Sequence, residues 1–289
     1  MSEFDKSFTP VASSGEGQPL DASSRLSSTV EHWHKPFFIL FLISCVVNLA
    51  LLWLQIELSP DFRWLEGVFL LCAAITSLLA LGRRLPVQNV VMAAAVIMVI
   101  SGGVIGVGTM TGVPFGPFVY SEALGEKIFN VLPWSIPLIW IVIVINSPGV
   151  ARLMMRPWRK TNFYGFWVIG LTCLLAVILD LGLEPFAVYV KNYWVWRMPD
   201  SVAAWYSAPW INFLGWFVAT LAILVFATPW LINKQPIKRP IDYHPLITWL
   251  LLNAWFMAGN GVKHLWPAVG LSLISCVFVA TYAIRGARW

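Results

Sequence analysis

The sequence predicts an all-α protein, a polytopic integral membrane helix bundle of about eight transmembrane helices with a short amphipathic or re-entrant segment between helices 3 and 4. Hydrophobic residues make up 58% of the 289 residues, charged residues only 11%, and the mean hydropathy is +0.74. Soluble domains carry about a quarter charged residues. The apolar residues form unbroken runs close to the ~20 positions of a spanning helix. The low charged fraction therefore excludes a soluble enzyme. The long apolar runs exclude an outer-membrane barrel, because barrel strands lack such runs.

Composition divides the chain into two parts. Residues 1–36 are rich in Ser, Thr, Gly and Pro and contain no apolar stretch, which predicts a disordered polar N-terminal tail. Residues 37–289 are predicted to form a single transmembrane helical domain. Its expected helices cover residues 37–56, 64–82, 88–109, 131–151, 162–183, 209–232, 245–260 and 265–284.

The basic residues predict the orientation in the membrane. Of the 19 Lys and Arg residues, 14 fall in the tail, in every second loop and at the C-terminus, while five fall on the opposite side. Cytoplasmic loops are enriched in Lys and Arg, so we expect both termini on the cytoplasmic side of a bacterial or archaeal cytoplasmic membrane. The net charge of +5 is spread over short loops rather than one basic face, so no nucleic-acid partner is expected.

Acidic residues at the outer end of the fifth helix are the first candidates for chemistry. Asp180 and Glu184 are four positions apart, which places both carboxyl groups on one helix face. Pro185 disfavours helix at Glu184 and frees a carbonyl one turn earlier. Acids within membrane helices are functional candidates; the alternative is a solvated pair at a helix end, or one bound to Lys191 or Arg197.

The segment between the third and fourth helices is the second candidate. Two prolines and two glycines in residues 112–117 interrupt the backbone, and Glu122 and Glu126 follow four positions apart. This spacing predicts a short amphipathic helix, which either lies at the membrane interface or lines a cavity.

Aromatic residues are concentrated after the acid pair, with nine among the 28 positions of residues 189–216. An aromatic belt at the membrane surface accounts for part of this density. Aromatic faces also stabilise cations, by about 2 kcal/mol or more per ring when desolvated, so an acid beside an aromatic pocket suits protonation of an alkene. The predicted substrate-binding residues are Tyr120, Tyr193, Trp194, Trp196, Tyr206, Asn212 and Trp216.

Cysteine and histidine spacing predicts no metal site. The four Cys lie in separate apolar runs without a CxxC pair, and the four His are scattered. No second Asp-rich cluster accompanies Asp180 and Glu184 to hold magnesium and a pyrophosphate. We therefore expect no metal and no cofactor.

Four motifs, taken in order, resemble the membrane-embedded carotenoid 1,2-hydratases of the CruF type. They are FGPFVYSEALG at 115–125, VLPWSIPLIW at 131–140, DLGLEP at 180–185 followed by YWVW at 193–196, and WYSAPWINFLGW at 205–216. The family usually has Asp where this chain has Glu184 and Gly where it has Ala208. The first difference keeps an acid, and the second bears on the choice of substrate.

The resemblance implies that water is added to the terminal isoprene double bond of an acyclic carotenoid end, of the lycopene or γ-carotene type, to give a tertiary alcohol. In the mechanism we predict, Asp180 is a neutral acid that protonates the alkene, and Glu184 is the base that holds the attacking water. Glu122 is the alternative for either role. The carotenoid is expected to enter from the lipid bilayer, and a homo-oligomer or a complex with other carotenoid-pathway enzymes stays open.

Two other functions fit the same residues. In a carotenoid cyclase, a neighbouring double bond rather than water would attack the cation. A non-enzymatic carotenoid-binding or structural subunit of a membrane complex would use the aromatic residues without chemistry.

Overall fold

A computed structural model describes residues 22–56, 64–199, 201–232 and 241–289. Within these ranges the chain forms eight α-helices, and a π-helical turn, Phe186–Val190, continues the fifth. The helices are α1 (Ala22–Trp53), α2 (Trp64–Gly82), α3 (Val87–Thr111), α4 (Ser135–Met155), α5 (Tyr164–Pro185), α6 (Trp210–Leu231), α7 (His244–Val262) and α8 (Trp266–Ala287).

Seven helices in the described ranges are long and apolar enough to cross a membrane, which confirms the predicted all-α polytopic class. The helix below that threshold is α7. It carries the fully buried polar residues Thr248, Asn253 and Asn260, which lower its hydropathy. These side chains are buried against neighbouring helices, so α7 is a polar inner helix of the bundle.

The first helix differs from the prediction. It begins at Ala22, inside the segment 1–36 that was expected to be disordered. Glu31 in this part of α1 forms an exposed ion pair with Arg83 at 2.8 Å, just after α2. Composition missed this extension because the helix continues into a polar sequence. The part of the tail prediction that concerns residues 1–21 lies outside the described residues.

Helix α4 is the centre of the bundle. It packs against α2, α3, α5, α7 and α8, and 72% of its most apolar segment is buried, the highest share among the seven apolar helices. Its Gly149 lies so close to α7 that an added Cβ would be 2.5 Å from the ring of Pro245. Close packing through small residues is a main source of helix association in lipid, where the hydrophobic effect between helices is weak.

Short antiparallel strand pairs cover one end of the bundle. The α3–α4 connection contains β1 (Phe118–Tyr120), β2 (Lys127–Ile128) and β3 (Leu132–Pro133), and the α5–α6 connection contains β4 (Trp194–Trp196), β5 (Ala204–Trp205) and β6 (Ala208–Pro209). Strand β1 pairs with β4, β2 with β3, and β5 with β6. The β1–β4 pair therefore joins the two connections.

The amphipathic helix predicted over Glu122 and Glu126 does not form. The Ser121 hydroxyl accepts a hydrogen bond from the Ala123 N–H and caps a single 3₁₀ turn, which ends at Gly125 with a positive φ of +81°. Because β2 begins two residues later, the two acids never share a helix face.

Candidate active site

Two buried carboxyl groups meet at one amide. The Asn212 side-chain NH₂, on α6, donates to Asp180 Oδ2 at 2.8 Å and to Glu184 Oε1 at 3.0 Å, both on α5. The three residues are at most 2% exposed. The spacing of four along α5 thus places both acids on one face, as the sequence predicts, and Asn212 holds them together.

The end of α5 is distorted where Pro185 interrupts its hydrogen bonds. Proline has no N–H to donate to the carbonyl four residues earlier, which is that of Leu181. The Trp205 indole donates to this carbonyl at 2.9 Å, and the Asn260 side chain donates to the next carbonyl, that of Gly182, at 2.9 Å. Buried backbone groups need such partners, so the surrounding elements stabilise the turn that carries Glu184.

Strand β4 supplies two further donors to the pair. Trp194 and Trp196 are two positions apart and project from the same side of the strand. Their indole N–H groups donate to Glu184 Oε2 at 3.2 and 3.0 Å. Glu184 therefore accepts three N–H groups in all, whereas Asp180 Oδ1 is buried with no partner among the described residues.

Glu184 and Asn212 line a narrow aromatic slot of about 50 Å³. Trp140 of α4 and Trp216 of α6 stack in its wall with ring centres 4.8 Å apart. Asp180 does not line the slot and lies behind its two polar residues. The aromatic residues of the wall are Phe115, Phe118, Tyr120, Trp140, Trp194, Trp196 and Trp216.

The slot keeps its aromatic walls through close packing and uncharged groups. Phe115 is wedged between α3 and α6, where a Cβ added to Gly108 or Gly215 would lie 2.6 Å from its ring. Tyr120, opposite Trp194 in the β1–β4 pair, is also buried. Burial and the nearby Glu184 raise the pKa of Tyr120 above its ordinary value, so this residue stays a neutral phenol at physiological pH.

A much larger cavity of about 440 Å³ adjoins the slot. The two share Ile139, Leu183 and Trp194 in their walls. Its inner part is apolar, and its other end reaches Glu66 of α2 and the α3–α4 connection. This volume is in the range of sites that bind organic ligands.

The structure brings together most of the predicted site residues. Those that line the slot are Glu184, Asn212, Tyr120, Trp194, Trp196 and Trp216, and Asp180 lies directly behind Asn212. Tyr193 points the other way and donates its hydroxyl proton to Glu66 at 2.6 Å. Tyr206 lines neither the slot nor the large cavity, and its hydroxyl accepts a hydrogen bond from the Ala268 N–H at the start of α8.

Glu122 is also placed away from the carboxyl pair. Its side chain is 87% exposed and forms an ion pair with Lys127 at 2.8 Å. It reaches the rim of the large cavity rather than the slot. The structure therefore does not support Glu122 as an alternative acid, because its side chain is exposed, is paired with Lys127 and does not reach the slot.

Sequence reasoning missed several residues of this region. Phe115, Phe118 and Trp140 lie within motifs already noted but were not assigned to a site, since nothing local shows which residues of a loop, a strand or a helix face a slot. Glu66 was one of several outer acids without a distinguishing pattern. In the described residues, no group of three or more His, Cys, Asp or Glu side chains is arranged to hold a metal ion.

Comparison with known proteins identifies the family. Residues 65–279 match the family of carotenoid biosynthesis proteins. The chain belongs to this family. The match covers α2 to most of α8, including the carboxyl pair, the slot and the large cavity, and it confirms the resemblance seen in the sequence motifs.

One curated relative is similar to the chain over part of its length. That relative is the bisanhydrobacterioruberin hydratase of Haloarcula japonica, which is 30% identical to this chain over 123 residues. The aligned region is 42% of this chain and 39% of that relative, so the chain matches well under half of the relative's length. No solved structure is significantly similar to the chain.

Proposed function

We propose that this member of the carotenoid biosynthesis family is a hydro-lyase that adds water to the terminal isoprene double bond of an acyclic carotenoid end. The observation that carries the proposal is the Asp180–Asn212–Glu184 carboxyl pair at the wall of an aromatic slot. Its similarity to a protein named as a hydratase supports the same reaction. Acid catalysis of this kind uses carboxyl groups and water, so the scheme invokes no cofactor.

The pair is proposed to share one proton. Two adjacent carboxylates do not both ionise readily in an apolar interior, because each charge disfavours the other. Asp180 has an oxygen without a partner and is fully buried, which suits the neutral acid. Glu184 has three N–H donors, which suit a carboxylate. The resting pair then carries a single negative charge.

Glu184 is proposed as the catalytic residue because it is the member of the pair that lines the slot. This assignment differs from the sequence-based one, in which Asp180 is the acid. The shared proton moves to Glu184, which gives it to the alkene carbon that carries a hydrogen. This leaves a tertiary cation on the neighbouring carbon, which carries the two methyl groups. Water then attacks the cation through oxygen, and Glu184 accepts the released proton. The net reaction adds one water, and the proton returns to the pair.

Two features of the site favour the cation. The slot has seven aromatic side chains, and each ring face contributes about 2 kcal/mol or more to a desolvated cation. Both carboxyl groups are ionised at the moment the cation exists, so the total charge of the site stays the same throughout. Because the net charge of this low-dielectric site does not change during the reaction, the electrostatic cost of forming the cation is small.

The large cavity is proposed to hold the apolar chain of the carotenoid. It shares Ile139, Leu183 and Trp194 with the slot. With about 50 Å³ the slot suits the terminal group only, whereas the adjoining 440 Å³ suits a longer segment of chain.

Expression in a lycopene-producing bacterium, followed by mass analysis of the extracted pigments, tests the function. We expect products heavier than lycopene by the mass of one or two waters. Products of unchanged mass but altered absorption would instead identify a cyclase. Unchanged lycopene that remains bound to the purified protein would identify a pigment-binding role and contradict the proposal.

A further inference from the structure

A polar cluster lies at one end of the large cavity, outside the slot, and two of its members, Glu66 and Tyr193, line that cavity. Glu66, in the first turn of α2, accepts hydrogen bonds from the Lys191 ammonium group and from the Tyr193 hydroxyl, the latter at 2.6 Å. The side chains of Glu66 and Lys191 are only 20% and 18% exposed, and Tyr193 is buried. A partly buried carboxylate with two charge-assisted partners is a well-defined contact.

Two members of this cluster are close in sequence to the two Trp residues whose indoles bind Glu184. Lys191 and Tyr193 immediately precede β4, which begins at Trp194. The Tyr193 backbone also holds the start of β4 in place. Its N–H donates to the Ala187 carbonyl at 2.7 Å, and its carbonyl accepts from the Ser121 N–H at 2.9 Å. Glu66 thereby connects the start of α2 to the start of β4.

We infer that Glu66 is a positioning residue for the proposed hydration: by binding Lys191 and Tyr193, it fixes the strand that presents the Trp194 and Trp196 indoles to Glu184. The inference rests on the proposed function. Glu66 does not line the slot and touches neither carboxyl group of the pair. Its effect on the reaction is exerted through the strand.

The electrostatics of the cluster agree with this role. Burial and the neighbouring Glu66 carboxylate raise the pKa of Tyr193 well above its ordinary value. The phenol therefore keeps its proton and remains a donor at physiological pH. Removing the carboxylate leaves the ammonium group and the phenol without their partner, and unpaired buried groups rearrange to reach water. The start of β4 would then be held only by the Tyr193 backbone bonds and the pairing with β1, without the side-chain contact to α2.

A double-mutant cycle with Glu66→Ala and Trp196→Phe tests the inference. Trp196→Phe removes one N–H bond to Glu184, and a lost hydrogen bond to a charged group corresponds to a fall of about ten- to a hundredfold in kcat. We expect Glu66→Ala to lower kcat to a similar degree, and kcat alone is compared, since Glu66 also lines the cavity that is proposed to hold the carotenoid chain. Because the two residues are not in contact, the effects of a merely structural Glu66 would multiply. If Glu66 acts through the indoles, the double variant is expected to be close to the more damaged single variant.

Three variants accompany the cycle. Glu66→Gln retains an acceptor for Tyr193 and is expected to recover part of the lost kcat, and Tyr193→Phe reports on the contact if Glu66→Ala does not fold. Glu31→Ala is the matched control, since it removes a carboxylate from an ion pair at the opposite end of α2. Multiplicative effects in the cycle, with wild-type protein still producing hydrated carotenoid, would overturn the inference alone. Absence of any hydrated product from wild-type protein would overturn the proposed function instead.

Discussion

At the scale of single residues, Asn212 has a role that neither acid has alone. One amide group donates to Asp180 and Glu184 together, and the two Trp indoles complete the shell around Glu184. Fully buried carboxyl groups are costly without such partners. The arrangement therefore holds two acids at one amide in an apolar bundle, as the proposed sharing of a proton requires.

The two acids are expected to respond differently to removal of their charge. Glu184→Gln should lower the rate by roughly 10²- to 10⁴-fold, the contribution of general acid and base catalysis, because Gln neither gives nor takes the proton. Asp180→Asn should be harmful but less so, since Asp180 does not line the slot. Rates are measured by product mass analysis on membranes with matched protein amounts.

Glu31→Gln is the control for this comparison, because Glu31 is an exposed, ion-paired acid at the other end of the bundle. It should keep the wild-type rate. A larger loss for Asp180→Asn than for Glu184→Gln would return the role of acid to Asp180, as the sequence alone predicts.

At the scale of elements, the end of α5 depends on partners from elsewhere in the chain. Trp205→Phe removes the donor to the Leu181 carbonyl and leaves a buried acceptor unpaired, at a cost of about 1–3 kcal/mol. We expect a lower midpoint for thermal unfolding of the purified protein in detergent. Trp210→Phe is the control, because Trp210 is 53% exposed on the bundle surface. Equal midpoints for the two variants would show that the Trp205 bond does not stabilise α5.

The cavity between α2, α4, α5 and α7 gives a second prediction at this scale. Ile143→Phe on α4 adds bulk at its wall, where Ile143 is 2% exposed. It should impair hydration of a long carotenoid but spare a short isoprenoid with the same terminal double bond. Val99→Phe, at a position that is 71% exposed on α3, should change neither. Equal loss on both substrates would show that the cavity does not hold the chain.

At the scale of the whole molecule, the helices and the acid pair were predictable and the pairing of distant segments was not. Apolar runs predict the bounds of α2, α3 and α5 to α8 to within three residues, because each helix satisfies its own backbone in lipid. Helix α4 begins and ends four residues later than predicted, because the apolar residues just before it form β3 and a turn. The spacing of Asp180 and Glu184 is likewise a local property of α5. The contact of Glu66 with Tyr193 spans 127 positions, and the exclusion of Tyr206 from the slot depends on how the connections fold. Such contacts arise from tertiary packing, which local patterns do not encode.

The orientation of the bundle is a further prediction for the whole molecule. Since the sequence assigns 14 of the 19 basic residues to one predicted side, reporter fusions near residues 158 and 236 should report the cytoplasm and fusions near 120 and 195 the outside. Both termini would then be cytoplasmic, with the carboxyl pair in the outer half of the membrane. A cytoplasmic signal from both 158 and 195 would contradict this topology.

The most direct test of the central claim is hydration in water that carries a heavy oxygen isotope. Membranes with wild-type protein or the Glu184→Gln variant are incubated with an acyclic carotenoid in this water, and the pigments are analysed by mass spectrometry. Wild-type protein should yield a tertiary alcohol with one heavy oxygen for each water added, and the variant should yield almost none. An alcohol without the label, or equal labelled product from the variant, would contradict hydration by the carboxyl pair.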